Sequence, residues 1–218
     1  MKQWSEQLGR YFVNAVIYIF VFTCLVFFVF GDYLRLSGYA VSILIVLAPY
    51  YIYSRSPKLQ RIINKSFIDL LQIFLALVFF TSLLGSLAFY TMPETWWYDT
   101  AIHFFNSAVI YCITSVVLIL FQDYFFQKSF LIATLAINFL LVIFVSFLWE
   151  FYESTVDSLF VQAGMFGQNG EIYLDTLTDL AADLAGGLLA TWLIYRYFYA
   201  FILKYINHST KNDHQRHS

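Results

Sequence analysis

Charged residues are scarce in this sequence. They make up 12% of its 218 residues, where a soluble domain carries about 25%. That shortage excludes a water-soluble globular surface. Cysteine is almost missing as well. Cys24 and Cys112 both fall inside apolar runs, where a thiol serves as a small hydrophobe rather than as half of a disulfide, so the redox compartment cannot be read from them. There is no excess of positive charge: the net charge is −2, and nothing points to a nucleic-acid partner. No soluble domain, low-complexity tract or internal repeat stands out. What fills the chain is apolar: 61% hydrophobic, 22% aromatic, with a mean hydropathy of +0.69. The composition is that of an integral membrane protein.

Crossing a hydrocarbon layer of ~30 Å takes about 20 apolar residues in a helix. Six stretches qualify, near 11–30, 36–53, 67–91, 100–121, 130–151 and 176–197. The first follows a charged leader but is too long for a signal-peptide core and lacks a small-x-small cleavage site, so it reads as a retained helix. Basic residues set the orientation. Eleven of the twelve Lys and Arg fall on one side, with Arg35 alone on the other, which predicts cytoplasmic N- and C-termini. The basic 55–65 loop holds that topology and touches anionic headgroups. The outer loops are then 31–35, 92–99 and roughly 152–175. Trp96, Trp97 and Tyr98 suit an interfacial aromatic belt. The glycine-rich segment around Gly164, Gly167 and Gly170 is either a lid or a plain connector.

Three acidic groups converge in this topology near the outer bilayer face: Asp99 with His103, Glu150 with Glu153, and Asp175 with Asp179 and Asp183. His103 lies one turn beyond Asp99 on the same helix face, with Ser107 and Tyr111 continuing the stripe and Asn106 beside it. At ~1.5 Å per residue, His103 and Asp179 sit about 6 Å below the helix starts and Asp183 about 12 Å below. One layer then holds His103, Glu150 and Asp179, with Asp183 as floor and Asp99, Glu153 and Asp175 as rim. Helix-dipole capping accounts for Asp99 and Asp175, and Thr176-x-x-Asp179 looks like a capping box. Capping does not account for Glu150 and Glu153, expected at a helix C-terminus, nor for Asp183 inside an apolar helix, where a charge costs about 2.5–3.5 kcal/mol. Ala182, Gly186 and Ala190 form a small-residue stripe that lets this last helix approach its neighbours closely.

Six carboxylates and one imidazole in a partly dehydrated pocket need a neutraliser: a metal, protons or a cationic ligand. Oxygen-rich sets with one His suit Mg²⁺, Mn²⁺, Ca²⁺ or Zn²⁺. His103, Glu150, Asp179, Asp183 and Asp175 are the expected ligands. Asp99 or Glu153, nearer water, is the expected general base for a metal-bound water. The cytoplasmic half offers only Asn14, Asp69 and Asn138, on three different helices, which favours an outward-facing enzyme or binding site over a transporter. No phosphate-binding basic residue or nucleophile motif lies near the cluster, so substrate and reaction stay open.

Read together, Tyr98-Asp99-x-x-x-His103-Phe104, Glu150-x-x-Glu153, Gly170 and Asp175-Thr176-x-x-Asp179-x-x-x-Asp183-x-x-Gly186 resemble the small bacterial inner-membrane proteins of the YjdF type. They are also distantly similar to VanZ-like proteins. The resemblance covers residues ~96–190; Ser154 stands where the YjdF type usually has Trp. It implies the same helical fold and the same site, and it carries no reaction.

The expectation is therefore an all-α polytopic bundle of six transmembrane helices in the plasma or inner membrane, built as one membrane domain. Residues 1–95 supply scaffold helices, 96–200 carry the acidic and histidine site, and 206–218 form a disordered tail. The partners expected are membrane lipids and a lipid-linked envelope substrate. A proton- or cation-coupled transporter, a ligand binder and a structural scaffold are the alternatives.

Overall fold

The computed structural model describes residues 2–89, 97–126, 128–159 and 172–200. Trp96, the glycines 164, 167 and 170, and the tail with His208, His214 and His217 lie outside the described residues. Nearly all of the described residues are helical: α1 (Lys2–Phe30), α2 (Tyr33–Arg55), α3 (Pro57–Ile62), α4 (Lys65–Leu87), α5 (Tyr98–Phe126), α6 (Leu131–Leu159) and α7 (Ile172–Leu193), which continues as a π-helical turn over Ile194–Phe198. Among the described residues there is no strand. Six of these helices are long and apolar enough to cross a membrane: Gln7–Phe30, Tyr33–Arg55, Lys65–Leu87, Tyr98–Gln122, Leu131–Val156 and Tyr173–Phe198. The protein is a multi-pass helical membrane bundle.

The helices are longer than hydropathy alone outlines, for local reasons. The charged leader extends α1 back to Lys2, because Gln, Glu, Lys and Arg are good helix formers. The expected 31–35 loop shrinks to a tight turn. Gly31 adopts φ 73, a left-handed conformation that glycine alone takes at no steric cost. Asp32 then caps α2 by accepting the Arg35 amide at 3.1 Å. The expected 55–65 loop contains α3, opened by Ser56 as cap and Pro57 in its first turn. Most important for the site, α6 runs on to Leu159, since nothing between Glu150 and Leu159 breaks a helix. Glu150 and Glu153 are thus helix-interior residues, not C-terminal ones. Helix α7 begins at Ile172, so Thr176 and Asp179 lie inside it and form no capping box.

Among the described residues, those up to Phe80 form one compact unit and those from Thr81 onward a second. In the first, Val13, Val16 and Phe20 of α1 are buried along with Tyr39 and Val46 of α2 and Ile68 and Ala76 of α4. Tyr39 stacks on Phe27 with ring centroids 5.7 Å apart. Gln72 of α4 donates its amide to the Val46 carbonyl at 3.0 Å, a turn before Pro49, whose missing N–H loosens this part of α2.

The second unit rests on the contact between α5 and α7. A Cβ on Gly186 would overlap the Phe104 carbonyl oxygen and stand 3.2 Å from the Ala108 nitrogen, so the two backbones touch there. Tyr111, Leu135, Val142, Ala190 and Ile194 form the core around that contact. Polar groups lock α5 to α6 below it. Asn138 donates to the Tyr111 carbonyl at 2.8 Å and to Ser115 Oγ at 2.6 Å. Thr114 donates to Asn138 Oδ1 at 2.5 Å, and Tyr111 OH to the Leu135 carbonyl at 2.8 Å. The opposite face of α6 shows Phe144, Phe147 and Phe151, the last 71% exposed, a surface made for lipid rather than water. At the start of α5, Tyr98 donates to the Thr81 carbonyl at 2.9 Å and stacks on Phe89, while Trp97 stays exposed.

The contrast between two adjacent glycines tests this packing. Gly187 has room for a Cβ, with Phe139 at 3.7 Å, whereas Gly186 has none. Gly186→Ala should cost roughly 1–3 kcal/mol, a drop of about 2–4 °C in Tm per kcal/mol, read in detergent-solubilised protein. Gly187→Ala should leave Tm unchanged or raise it, as a mid-helix Gly→Ala change does. Equal behaviour of the two variants would overturn the close α5–α7 approach.

Candidate metal centre

Because α5 and α7 touch at Gly186, the acidic residues one and two turns toward the chain start of α7 face the first turns of α5. His103 of α5 is the hub. Its Nδ1 lies 3.3 Å from Asp183 Oδ2 of α7, within hydrogen-bond reach. Its Nε2 lies 3.9 Å from Asp179 Oδ2 and 4.0 Å from Asp99 Oδ1, too far for hydrogen bonds. Ser107, a turn below His103, donates to the Asp183 backbone carbonyl at 2.7 Å and pins α7 at this height. Helix α6 supplies the remaining wall with Glu150 and Glu153, both 6% exposed.

The arrangement gives two overlapping sets of ligand-capable atoms, each set lying within 4.8 Å of one another: Asp99, His103 and Asp179, and His103, Glu150 and Glu153. Two ligand atoms on one ion with bonds of about 2.1–2.5 Å stand roughly 3–5 Å apart, so either set has the right span. Five of the six residues gathered here, Asp183 included, are buried, Asp179 with 1% exposure, while the Asp99 side chain is partly buried. Two carboxylate oxygens, Glu150 Oε1 and Asp179 Oδ1, are buried with no hydrogen-bond partner, and so is Asn106 Oδ1 nearby. An orphaned buried carboxylate oxygen costs more than any ordinary unmade hydrogen bond. Among the described residues, His103 is the one basic side chain within ion-pair distance of Asp99, Asp179 and Asp183.

Histidine chemistry assigns different work to its two nitrogens. With its proton on Nδ1 and directed at Asp183, the ring presents the Nε2 lone pair to the space shared with Asp99 and Asp179. A carboxylate behind the ring that fixes tautomer and orientation is the usual companion of a metal-binding imidazole.

The structure therefore sorts the sequence-derived residues in its own way. It brings together Asp99, His103, Glu150, Glu153, Asp179 and Asp183. Asp183, expected as floor and ligand, sits behind His103. Asp99 and Glu153, expected at a wet rim as bases, fall among the ligand-capable atoms, because α6 continues past Glu153 and buries it. Asp175, one turn before Asp179, belongs to neither set; its backbone carbonyl accepts from Thr178 at 2.8 Å. Asn106 was visible beside the His103 stripe, but no spacing rule marked its oxygen as orphaned.

Residues 12–200 match the family described as a predicted membrane protein (DUF2238), and the chain belongs to that family. The match shows a membrane family and does not support the YjdF-type or VanZ-like resemblance expected from the motifs. No curated protein and no solved structure matches the chain.

If Glu150 and Asp179 hold uncompensated buried charge, neutral isosteres should relieve it. Glu150→Gln and Asp179→Asn are each expected to raise Tm by about 2 °C at pH 8 in excess chelator, corresponding to roughly 0.5–1 kcal/mol. A lower Tm for both variants would show that these carboxylates already have partners that stabilise them.

Proposed function

We propose that the cluster is a divalent-cation site, and that the bound ion serves chemistry on a lipid or lipid-linked envelope substrate at the outer face of the cell membrane. One observation carries the reading: two buried carboxylate oxygens without partners, Glu150 Oε1 and Asp179 Oδ1, in two ligand sets that share His103. An ion placed between them would satisfy both oxygens at once and offset the surplus of negative charge. Oxygen-dominated donors with one imidazole nitrogen suit Mg²⁺, Mn²⁺, Ca²⁺ or Zn²⁺. His103, Glu150 and Asp179 are the proposed ligands, Asp99 and Glu153 complete the shell or take a proton, and Asp183 orients the imidazole. Such an ion makes a bound water a nucleophile near neutral pH or polarises an ester or phosphoryl oxygen. The outer orientation follows the excess of Lys and Arg toward the other side. The lipid-like substrate follows from the setting, since helices α5 to α7 around the cluster are otherwise clad in exposed apolar side chains such as Phe105, Phe151 and Leu177.

One observation supports a second reading, proton-coupled transport. Asn138, an isolated polar residue by sequence, joins Tyr111, Thr114 and Ser115 in a buried network below the cluster. Those groups are occupied with one another, as interhelical polar contacts in membranes commonly are, so the network supports packing better than conduction.

Metal analysis of detergent-purified protein separates these readings. Wild type should carry about one ion per chain, and the Glu150→Gln, Asp179→Asn double variant essentially none. Adding back the ion at a hundredfold excess over Kd should stabilise wild type by about 2.7 kcal/mol, and binding should weaken as pH falls, because protons compete for the ligands. Equal, negligible metal in both proteins would end the coordination reading, and a pH-driven flux in proteoliposomes abolished by the same substitutions would put transport in its place. Asp183→Asn should weaken metal binding about 10–100-fold while leaving the stoichiometry intact, as loss of a ligand-orienting group does.

A further inference from the structure

The first compact unit holds a cavity of about 200 Å³ that the acidic cluster has no part in, between the chain-start ends of α1 and α4 and the far end of α2. Its polar lining is Arg10, Asn14, Asp69 and Gln72, and its aliphatic lining Val13, Ile17 and Leu47. Two cations face one carboxylate there: Arg10 Nη2 stands 3.4 Å from Asp69 Oδ2 and Lys65 Nζ 3.5 Å from the same oxygen. Charge-assisted bonds of full strength run about 2.7–2.9 Å, so neither cation is saturated, and the trio carries a net positive charge. Arg10 is about half exposed, with a side-chain exposure of 55%, so most of its guanidinium donors remain available. Lys65 also lies over the Tyr50 ring, 5.8 Å from its centroid, so its ammonium adjoins two residues that line the cavity, Tyr50 and Asp69.

The height matters as much as the charge. Arg10 and Asp69 each sit about one turn inside the membrane-spanning part of their helices, which begin at Gln7 and Lys65, and Tyr50 lies just over a turn before the end of α2 at Arg55. That is the level where headgroups meet acyl chains. A water-filled ion pocket would not need one wall of valine, isoleucine and leucine; a molecule charged at one end and apolar at the other would use both.

We propose that this cavity binds the phosphodiester of an anionic phospholipid, with Arg10 and Lys65 on the phosphate and the glycerol and first acyl carbons against Val13, Ile17 and Leu47. Asp69 holds the two cations in place and competes with the phosphate for them. The site is independent of the metal reading, and it is more specific than a diffuse attraction of basic residues to the membrane surface, because it depends on two named cations beside one apolar wall and is opposed by one named carboxylate.

Native mass spectrometry of the full-length protein in detergent, titrated with phosphatidylglycerol, phosphatidylcholine or inorganic phosphate, tests it. Wild type should retain phosphatidylglycerol at least about fivefold better than phosphatidylcholine. Arg10→Gln and Lys65→Gln should each lose roughly fivefold in phosphatidylglycerol binding, the effect of one basic residue near an anionic headgroup, with phosphatidylcholine binding unchanged. Asp69→Asn should bind phosphatidylglycerol more tightly, an outcome that a merely structural ion pair does not produce and that survives even if a cation variant fails to fold. Metal content should be the same in all of these proteins, so failure here and failure of the metal reading are distinguishable. Equal phosphatidylglycerol retention in wild type, Arg10→Gln and Asp69→Asn overturns the proposal. Full competition by inorganic phosphate at equal concentration overturns the lipid as ligand.

Discussion

The backbone contact between α5 and α7 at Gly186 is the constraint on which the acidic site depends. With no side chain at that position, the Phe104 carbonyl comes up against α7 itself. One turn up α7 from Gly186, Asp183 then meets His103, which directly precedes Phe104 on α5. Two turns up, Asp179 enters the same space. Any residue with a Cβ at position 186 would have to push the two backbones apart. In lipid, where apolar surfaces gain little by leaving the solvent, such close van der Waals contact between small residues is a main source of helix association.

Polar contacts hold what that packing brings together. Ser107 ties α5 to the Asp183 carbonyl at the floor of the cluster, while Asn138 and Tyr111 tie α5 to α6 beneath it. In this lower network Thr114, Asn138 and Tyr111 each donate to an acceptor. Just above, Glu150 and Asp179 each retain a buried oxygen with no partner. Fully satisfied polar groups stabilise and specify a packed interior, whereas unsatisfied ones are tolerated where something else is to bind. The change from satisfied to unsatisfied along one helix pair marks where structure ends and a candidate site begins.

Legibility in the sequence varied with the kind of information asked for. The count and rough position of the spans were readable because apolar length is a one-dimensional property. Helix ends were less so: α6 passes through Glu150 and Glu153 to Leu159, because charge interrupts a hydropathy signal without interrupting a helix. The same error turned Thr176 and Asp179 into a cap. Asp179 nonetheless faces His103, since four-residue spacing puts it on one face with Asp183 wherever the helix starts. Asp175 shares that spacing and joins neither ligand set, as periodicity gives a direction around the helix but not the distance to a neighbour.

By itself the sequence determined a six-span helical membrane protein, and it determined which carboxylates and which histidine lie on common faces of the last three helices. Composition and period suffice for that, because the bilayer dictates helices and the helix dictates who shares a stripe. Only the tertiary structure decided that Asp183 stands behind the imidazole, that Asp99 and Glu153 join the buried atoms around it, and that two oxygens are left orphaned. Those are distances between different helices, set by how closely Gly186 and the Asn138 network let the backbones approach.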